Sequence, residues 1–195
     1  MLQHVLQVLL ASCFFGRVSV VSSDTRVLEH ARFWSAQPLK EEQYGHNSAL
    51  QAAAVREQAA GATAILTISA DLPLLRICDI RGMIEQSRQH AVVLAPSQEG
   101  TGTNAILMCP PLALPYLFGL NSRHRYQQAA RQRKLSCAVY SSIGLAVDID
   151  TIDDLECLQD EPGTRGEIET YIAHLMNVTL ERSFLNAYNW ILSSP

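Results

Sequence analysis

Apolar residues recur with two periods along this chain, and the switching between them predicts its architecture. Leu2, Val5, Leu6, Leu9 and Leu10 fall at i, i+3, i+4, i+7 and i+8, one face of a helix over 2–12. The run RVSVVS (17–22) reads as a strand, and a helix start follows near Asp24 to Arg32. A polar, turn-rich stretch (35–47) leads into SALQAAAVREQAA, an alanine-rich helix closed by Gly61. Beyond it the pattern predicts strand 63–69, helix 77–89, strand 91–95, strand 104–109, helix 121–133 and strand 136–140. A last strand is expected in LAVDID, followed by a helix over 151–159. Strands alternating with helices, without repeat or linker, predict one α/β domain with a mostly parallel sheet.

Composition narrows the class without naming a reaction. Apolar residues make up 48% and charged residues 17% of the 195, the balance of an ordinary folded protein. A net charge of −4 supplies no global field for nucleic acid or anionic lipid. The local basic segment from Arg123 to Lys134, with RHR and RQRK, reads as a solvated helix face or, more sharply, as a phosphate contact. Cysteines 13, 78, 109, 137 and 157 are odd in number and contain no C-x-x-C. They are expected as small buried apolar side chains in a reducing, cytoplasmic compartment. The histidines show no zinc-ligand spacing. Leu10-Ala11-Ser12-Cys13 looks like a lipidation box, yet no Lys or Arg precedes it, so the opening segment is read as a core helix and not an export signal. No run approaches the ~20 apolar residues a membrane span needs.

Four motifs carry candidate chemistry. In SADLPLL an apolar strand ends on Asp71 and the chain turns at once. In GLAVDIDT, Asp148 and Asp150 stand two apart, so on a strand both carboxylates share one face. Two such anions are stable together only around a cation or a cationic side chain; the plainer reading is a strand end with Asp153 and Asp154 capping the next helix. Carboxylates gathered at the carboxyl ends of strands suit Mg²⁺ or Mn²⁺. QEGTGTNA (98–105) has the glycines and threonines of an anion nest or of a plain turn. In FGLNSRHR, Gly119 and Ser122 precede a helix whose free amides attract anions, unless Asn121 or Ser122 simply caps it. No cysteine, serine or histidine is set up as a nucleophile. The set outlines phosphoryl or nucleotidyl transfer.

SADLPLL, HNSALQAA, APSQEGTGTNAILMCPP, FGLNS and GLAVDIDTIDDL follow one another in the order of the 2-phospho-L-lactate guanylyltransferase family, and the chain resembles it from Met1 to about Ile172. That family includes phosphoenolpyruvate guanylyltransferases, which serve biosynthesis of coenzyme F-420. The resemblance implies a three-layer nucleotidyltransferase fold of the GT-A type over residues 1–181; residues 182–195 exceed it and are expected as a C-terminal extension of helical, interfacial character. It implies Asp71, Asp148 and Asp150 as ligands to Mg²⁺ or Mn²⁺. Thr103, Gly119 and Ser122 are implied as contacts to a phosphorylated three-carbon acid, and Asn47 as a residue on the nucleotide side. The implied partners are GTP and that acid, with neither nucleic acid nor membrane, and with room for a homodimer.

The implied reaction is attack by the acid's phosphate on the α-phosphorus of GTP, releasing pyrophosphate. A phosphomonoester is mostly ionised at neutral pH, so no general base is required. Two departures from the family pattern stand out. Its members begin with a strand, a basic triphosphate loop and a helix ahead of this chain's Met-Leu; that strand is expected centrally in the sheet. The chain alone is therefore expected to bind the acid but to hold GTP weakly. The family's histidine four residues after the serine is replaced by Tyr126, with His124 nearby. An active guanylyltransferase, a molybdopterin-type nucleotidyltransferase and a truncated binding or scaffold protein all stay open, although GTGTNA and FGLNS argue against the second.

Overall fold

Residues 1–42, 44–148 and 189–194 are described by the computed structural model. They belong to one unit, Met1–Asp148 with Ala187–Pro195; a second, Ile149–Asn186, lies outside the described residues. The strands are β1 (Arg17–Ser22), β2 (Gln37–Lys40), β3 (Ala64–Ser69), β4 (Val92–Pro96), β5 (Thr103–Met108), β6 (Cys137–Val139) and β7 (Asn189–Ser194). The helices are α1 (Leu2–Ser12), α2 (Thr25–Phe33), α3 (His46–Ala59), α4 (Ile77–Ser87), α5 (Ser122–Gln132) and α6 (Ile143–Ala146). The strands form one sheet in the order β2-β1-β7-β3-β5-β4-β6. Strands β2, β1, β3, β4 and β6 run one way, and β7 and β5 run against them. The chain adopts the expected α/β fold with a mixed sheet: five of the seven strands share one direction, but because β7 and β5 lie between them, only the β1–β2 and β4–β6 pairs are parallel and the other four are antiparallel.

Alternation along the strands separates two apolar layers. On one face Ile65, Ile106, Met108, Val92 and Leu94 pack with Leu50, Ala53 and Ala54 of α3 and Tyr126 and Ala130 of α5. The intervening Leu66, Ile68, Val93 and Leu107 are also buried and point the other way, to the side where α1 and α4 meet. Helix α1 buries Val5, Leu6 and Leu9, the stripe its periodicity predicts. Burying such side chains contributes roughly 1.5–3 kcal/mol each. Glu57 of α3 is buried against β1, where its carboxylate accepts hydrogen bonds from Ser19 Oγ (2.8 Å) and Arg17 Nη1 (3.2 Å).

Several expectations change. Strand β2 lies inside the stretch read as turn-rich; QPLK lacks alternation and is recognisable only by its parallel pairing with β1. The expected LAVDID strand is instead one helical turn, α6, followed by extended Val147. Ile149, Asp150 and helix 151–159 lie outside the described residues, so the shared face expected for Asp148 and Asp150 falls outside them too. Cys13, Cys78 and Cys109 are exposed, contrary to the expected buried thiols. Residues 189–194, expected to be helical, form β7, antiparallel to both β1 and β3. Strand β7 thus takes an interior place in the sheet, between β1 and β3.

Each buried backbone group of β1 and β3 that faces β7 would be left unpaired without it, at a cost of ~1–3 kcal/mol each. Several such losses together rival the ~5–15 kcal/mol that holds a domain folded. Deleting residues 189–195 is thus expected to abolish cooperative thermal unfolding or lower Tm by more than ~10 °C. A Tm unchanged by calorimetry would contradict the interior placement of β7.

Candidate functional site

Two hydroxyls join the segments that the sequence singles out. Thr103 opens β5 and Ser122 opens α5; both are buried, and Ser122 Oγ donates to Thr103 Oγ1 at 3.0 Å. The helix-capping reading of FGLNS does not hold, because α5 has no side-chain cap and Asn121, its N-cap residue, sits in the left-handed region (φ 54°). Gly119 has φ +110°, a backbone conformation that favours glycine and lets the chain double back toward Ser122. Ser122 N–H donates to Gly119 O (3.0 Å), and Arg123 N–H to Thr101 O (3.2 Å). The Arg123 guanidinium donates to Gly100 O (3.1 Å), so the Gln98–Gly102 loop and the first turn of α5 are tied together. Within the loop, Gly102 N–H donates to Ser97 Oγ, and a Cβ on Gly102 would lie 2.7 Å from that oxygen. Arg125, Arg131, Arg133 and Lys134 are exposed, the solvated face the plainer reading expects.

The segment leading to Gly119 is held by its backbone. Tyr116 N–H donates to Gln51 Oε1 (3.4 Å), Leu117 N–H to Tyr126 Oη (2.8 Å) and Phe118 N–H to Asn47 Oδ1 (2.8 Å). Asn47 also donates from Nδ2 to Phe118 O (3.1 Å). The Tyr116 ring stacks on Phe118, Tyr126 and His46 each lie edge-on to Phe118, and Tyr116 Oη bonds to Thr67 Oγ1 at 2.7 Å. Burial pushes the phenols of Tyr116 and Tyr126 well above the ordinary tyrosine range. Tyr126, which replaces the family's histidine, is a neutral, fully buried structural acceptor.

The described aspartates lie at the same edge of the sheet. Ile68 pairs with Ala105, so continuing that register sets Asp71, just past β3, near Thr103 at the start of β5. Asp148 is brought to this edge by two residues of the QEGTGTNA segment. Asn104 Nδ2 donates to Leu145 O and Ala146 O (3.1 Å each), and Gln98 N–H also donates to Ala146 O (2.8 Å). Gly144 presses so closely on the turn after Asp71 that an added Cβ would lie 2.7 Å from Leu74 O and overlap the Asp79 carboxylate. The start of α1 lies beside Asp71: burial lowers the pKa of the Met1 amino group, and the Asp71 carboxylate opposes that shift. His4 Nε2 lies 3.1 Å from Leu75 O, which makes it the protonated ring nitrogen.

As hard oxygen donors at one edge, Asp71 and Asp148 fit two positions of a magnesium or manganese shell. Among the described residues no cluster of three acidic, histidine or cysteine side chains is disposed to hold a metal, and Asp150 lies outside them. A hollow of about 360 Å³ lined by Leu10, Phe15, Arg17, Ser35 and Gln37 sits at the opposite ends of β1 and β2 and carries no carboxylate. The described residues contain no helix long and apolar enough to cross a membrane.

Comparison with known proteins follows the same segments. Residues 1–181 match the family described as "Guanylyl transferase CofC like". A phosphoenolpyruvate guanylyltransferase of Rubrobacter xylanophilus is 38% identical over 76% of this chain and 73% of its own length. A 3-phospho-D-glycerate guanylyltransferase of Colwellia psychrerythraea is 33% identical (71% and 66% covered). A 2-phospho-L-lactate guanylyltransferase of Methanobrevibacter smithii is 32% identical (73% and 62%). Among solved structures, one described as a nucleotide-diphospho-sugar transferase from Desulfovibrio desulfuricans G20 matches with TM-score 0.67 at 13% identity, over 90% of this chain and 84% of that one. A cytidylyltransferase from Leptospira borgpetersenii matches with TM-score 0.57 at 15% identity, over 95% and 86%. At those identities the likeness is one of fold, the nucleotidyltransferase type.

Gly144→Ala tests how α6 is seated. Its Cβ has no room against a backbone carbonyl, so overpacking is expected to cost ~1–3 kcal/mol in urea unfolding. An unchanged midpoint would mean that α6 does not press on the Leu74 turn.

Proposed function

Because the chain belongs to the CofC-like guanylyl transferase family, we propose that it joins GMP from GTP to the phosphate of a three-carbon phosphorylated acid in coenzyme F-420 biosynthesis. The acid's phosphate oxygen forms a bond to the α-phosphorus of GTP, the bond from that phosphorus to the bridging oxygen breaks, and pyrophosphate leaves. The observation that carries this reading is the joined pair Thr103–Ser122, seated at one sheet edge with Asp71 and Asp148, inside a family match of 1–181. Relatives are named for three acids, phosphoenolpyruvate, 3-phospho-D-glycerate and 2-phospho-L-lactate, each pairing a carboxylate with a phosphate. Phosphoenolpyruvate is the first candidate, since the relative at 38% identity is named for it.

In this reading Thr103, the Gly119 turn and Ser122 hold the acid by hydroxyl and backbone donors. The second pKa of a phosphomonoester is ~6, so the nucleophile is already ionised at neutral pH and no side chain needs to remove a proton. The histidines and cysteines can therefore stand outside the chemistry. Asp71, Asp148 and Asp150 would hold Mg²⁺ or Mn²⁺, which when bound neutralises phosphate charge and orients the reacting oxygens. Rate enhancement then comes mainly from placing the acid's phosphate in line with the α-phosphorus. A cytoplasmic location fits the free thiols and the intracellular substrates of such a reaction.

Pyrophosphate release from GTP with each of the three acids tests the reading. We expect turnover with one acid to exceed the others by at least ~10-fold, about 1.4 kcal/mol of discrimination. Asp148→Asn is expected to lower turnover at least ~100-fold with an unchanged circular dichroism spectrum and weakened Mn²⁺ binding by calorimetry. Full activity of Asp148→Asn would remove this aspartate from the metal site.

A further inference from the structure

Asn47 stands in the site by its bonds and not by its exposure. Both ends of its amide engage one residue: Oδ1 accepts from Phe118 N–H at 2.8 Å, and Nδ2 donates to Phe118 O at 3.1 Å. Phe118 is the last residue before Gly119, whose positive φ begins the turn that delivers Ser122 to Thr103. The amides of Tyr116 and Leu117, immediately before, are accepted by Gln51 and Tyr126. Three consecutive backbone donors in an extended segment thus end on side chains of α3 and α5. A segment that has left the sheet has no ladder partners, so these side chains alone supply what a neighbouring strand would.

We propose that Asn47 is a positioning residue for acid binding, fixing Phe118 so that the Gly119 turn and Ser122 keep their place, and that it does not contact the nucleotide. The inference rests on the guanylyltransferase reading for its kinetic consequence and on the Phe118 bonds alone for its structural one. An amide suits the task because one planar group offers a donor and an acceptor at the spacing of a residue's own N–H and C=O. Asp in its place keeps an acceptor for Phe118 N–H but sets a carboxylate oxygen against Phe118 O. Ala removes both bonds and leaves a largely buried N–H without its acceptor. Gln51 and Tyr126 hold the flanking amides, and although the Tyr126 ring packs edge-on against Phe118, the Phe118 N–H and C=O are bonded by Asn47, so neither replaces it.

The test compares Asn47→Ala and Asn47→Asp with the unmodified chain in two independent readouts. In the first, steady-state pyrophosphate release with GTP and phosphoenolpyruvate is expected to show KM for the acid raised about tenfold or more in Asn47→Ala, with KM for GTP changed less than about twofold. A tenfold rise in KM for GTP with the acid's KM unchanged would overturn the proposal in favour of a nucleotide contact. Equal kinetics with only a lower Tm would overturn it in favour of simple packing. In the second, amide hydrogen exchange by NMR without any ligand is expected to be about tenfold faster or more at Phe118 in Asn47→Ala, and intermediate in Asn47→Asp. Unchanged exchange at Phe118 overturns the proposal whatever the kinetics. If the unmodified chain turns over none of the three acids, the guanylyltransferase reading fails, and Phe118 exchange still decides whether Asn47 holds the turn. If Asn47→Ala does not fold, Asn47→Asp carries both measurements, and Tyr126→Phe, expected to speed exchange at Leu117 but not Phe118, shows that the effect belongs to the residue bonded.

Discussion

A buried amide must find an acceptor, and the stretch Tyr116–Leu117–Phe118 has none in the sheet. Gln51, Tyr126 and Asn47 meet that demand one residue at a time. Each unmade bond of this kind would cost ~1–3 kcal/mol, so the segment is held firmly between α3 and α5. Its rigidity is what allows the next residues to depart from regular geometry. Gly119 and Asn121 take positive φ, and Ser122 still arrives within 3.0 Å of Thr103. The aromatic cluster of Tyr116, Phe118 and Tyr126 connects this bracing to the core over β3 and β5. The proposed acid site and the core therefore share residues.

The same economy governs the acidic edge. Asp148 follows α6, a single turn of helix too short to fix itself. It is seated instead by Asn104, by Gln98 N–H and by the absence of a side chain at Gly144. Asn104 lies in the GTGTNA segment, so the loop proposed to face the acid also carries the residue that holds Asp148. Coupling of this kind places Asp148 and the loop proposed to face the acid in one mechanical unit, as the proposed positioning catalysis requires.

Much of this was legible in the sequence because local pattern and tertiary role coincide. The stripe Val5, Leu6, Leu9 and the runs of β3, β4 and β5 are buried on two faces, where apolar period and element type agree. Legibility failed where long-range pairing decides. QPLK becomes β2 only beside β1, and residues 189–194 become a strand because β1 and β3 each present an edge to them. LAV is apolar enough for a strand but closes into α6, which fits against the Leu74 turn. At the site, the motifs located Thr103 and Ser122. Asn104 lies in the GTGTNA motif and Tyr126 stood out as a departure from the family pattern, but their bracing roles, like that of Gln51, carried no signal, since a buried amide or phenol acting as a brace looks like any other polar residue until its partner's position is known.

The central claim is that a phosphorylated three-carbon acid is held where β5 meets α5. Titrating phosphoenolpyruvate into the isotope-labelled protein with Mg²⁺ while following backbone amide shifts tests it most directly. The account predicts saturable shifts at Thr103, Gly119 and Ser122, with Phe15, Gly16 and Arg17 at the far end of the sheet unmoved. Shifts confined to that far hollow, or none at Thr103 and Ser122 at saturating acid, would contradict it.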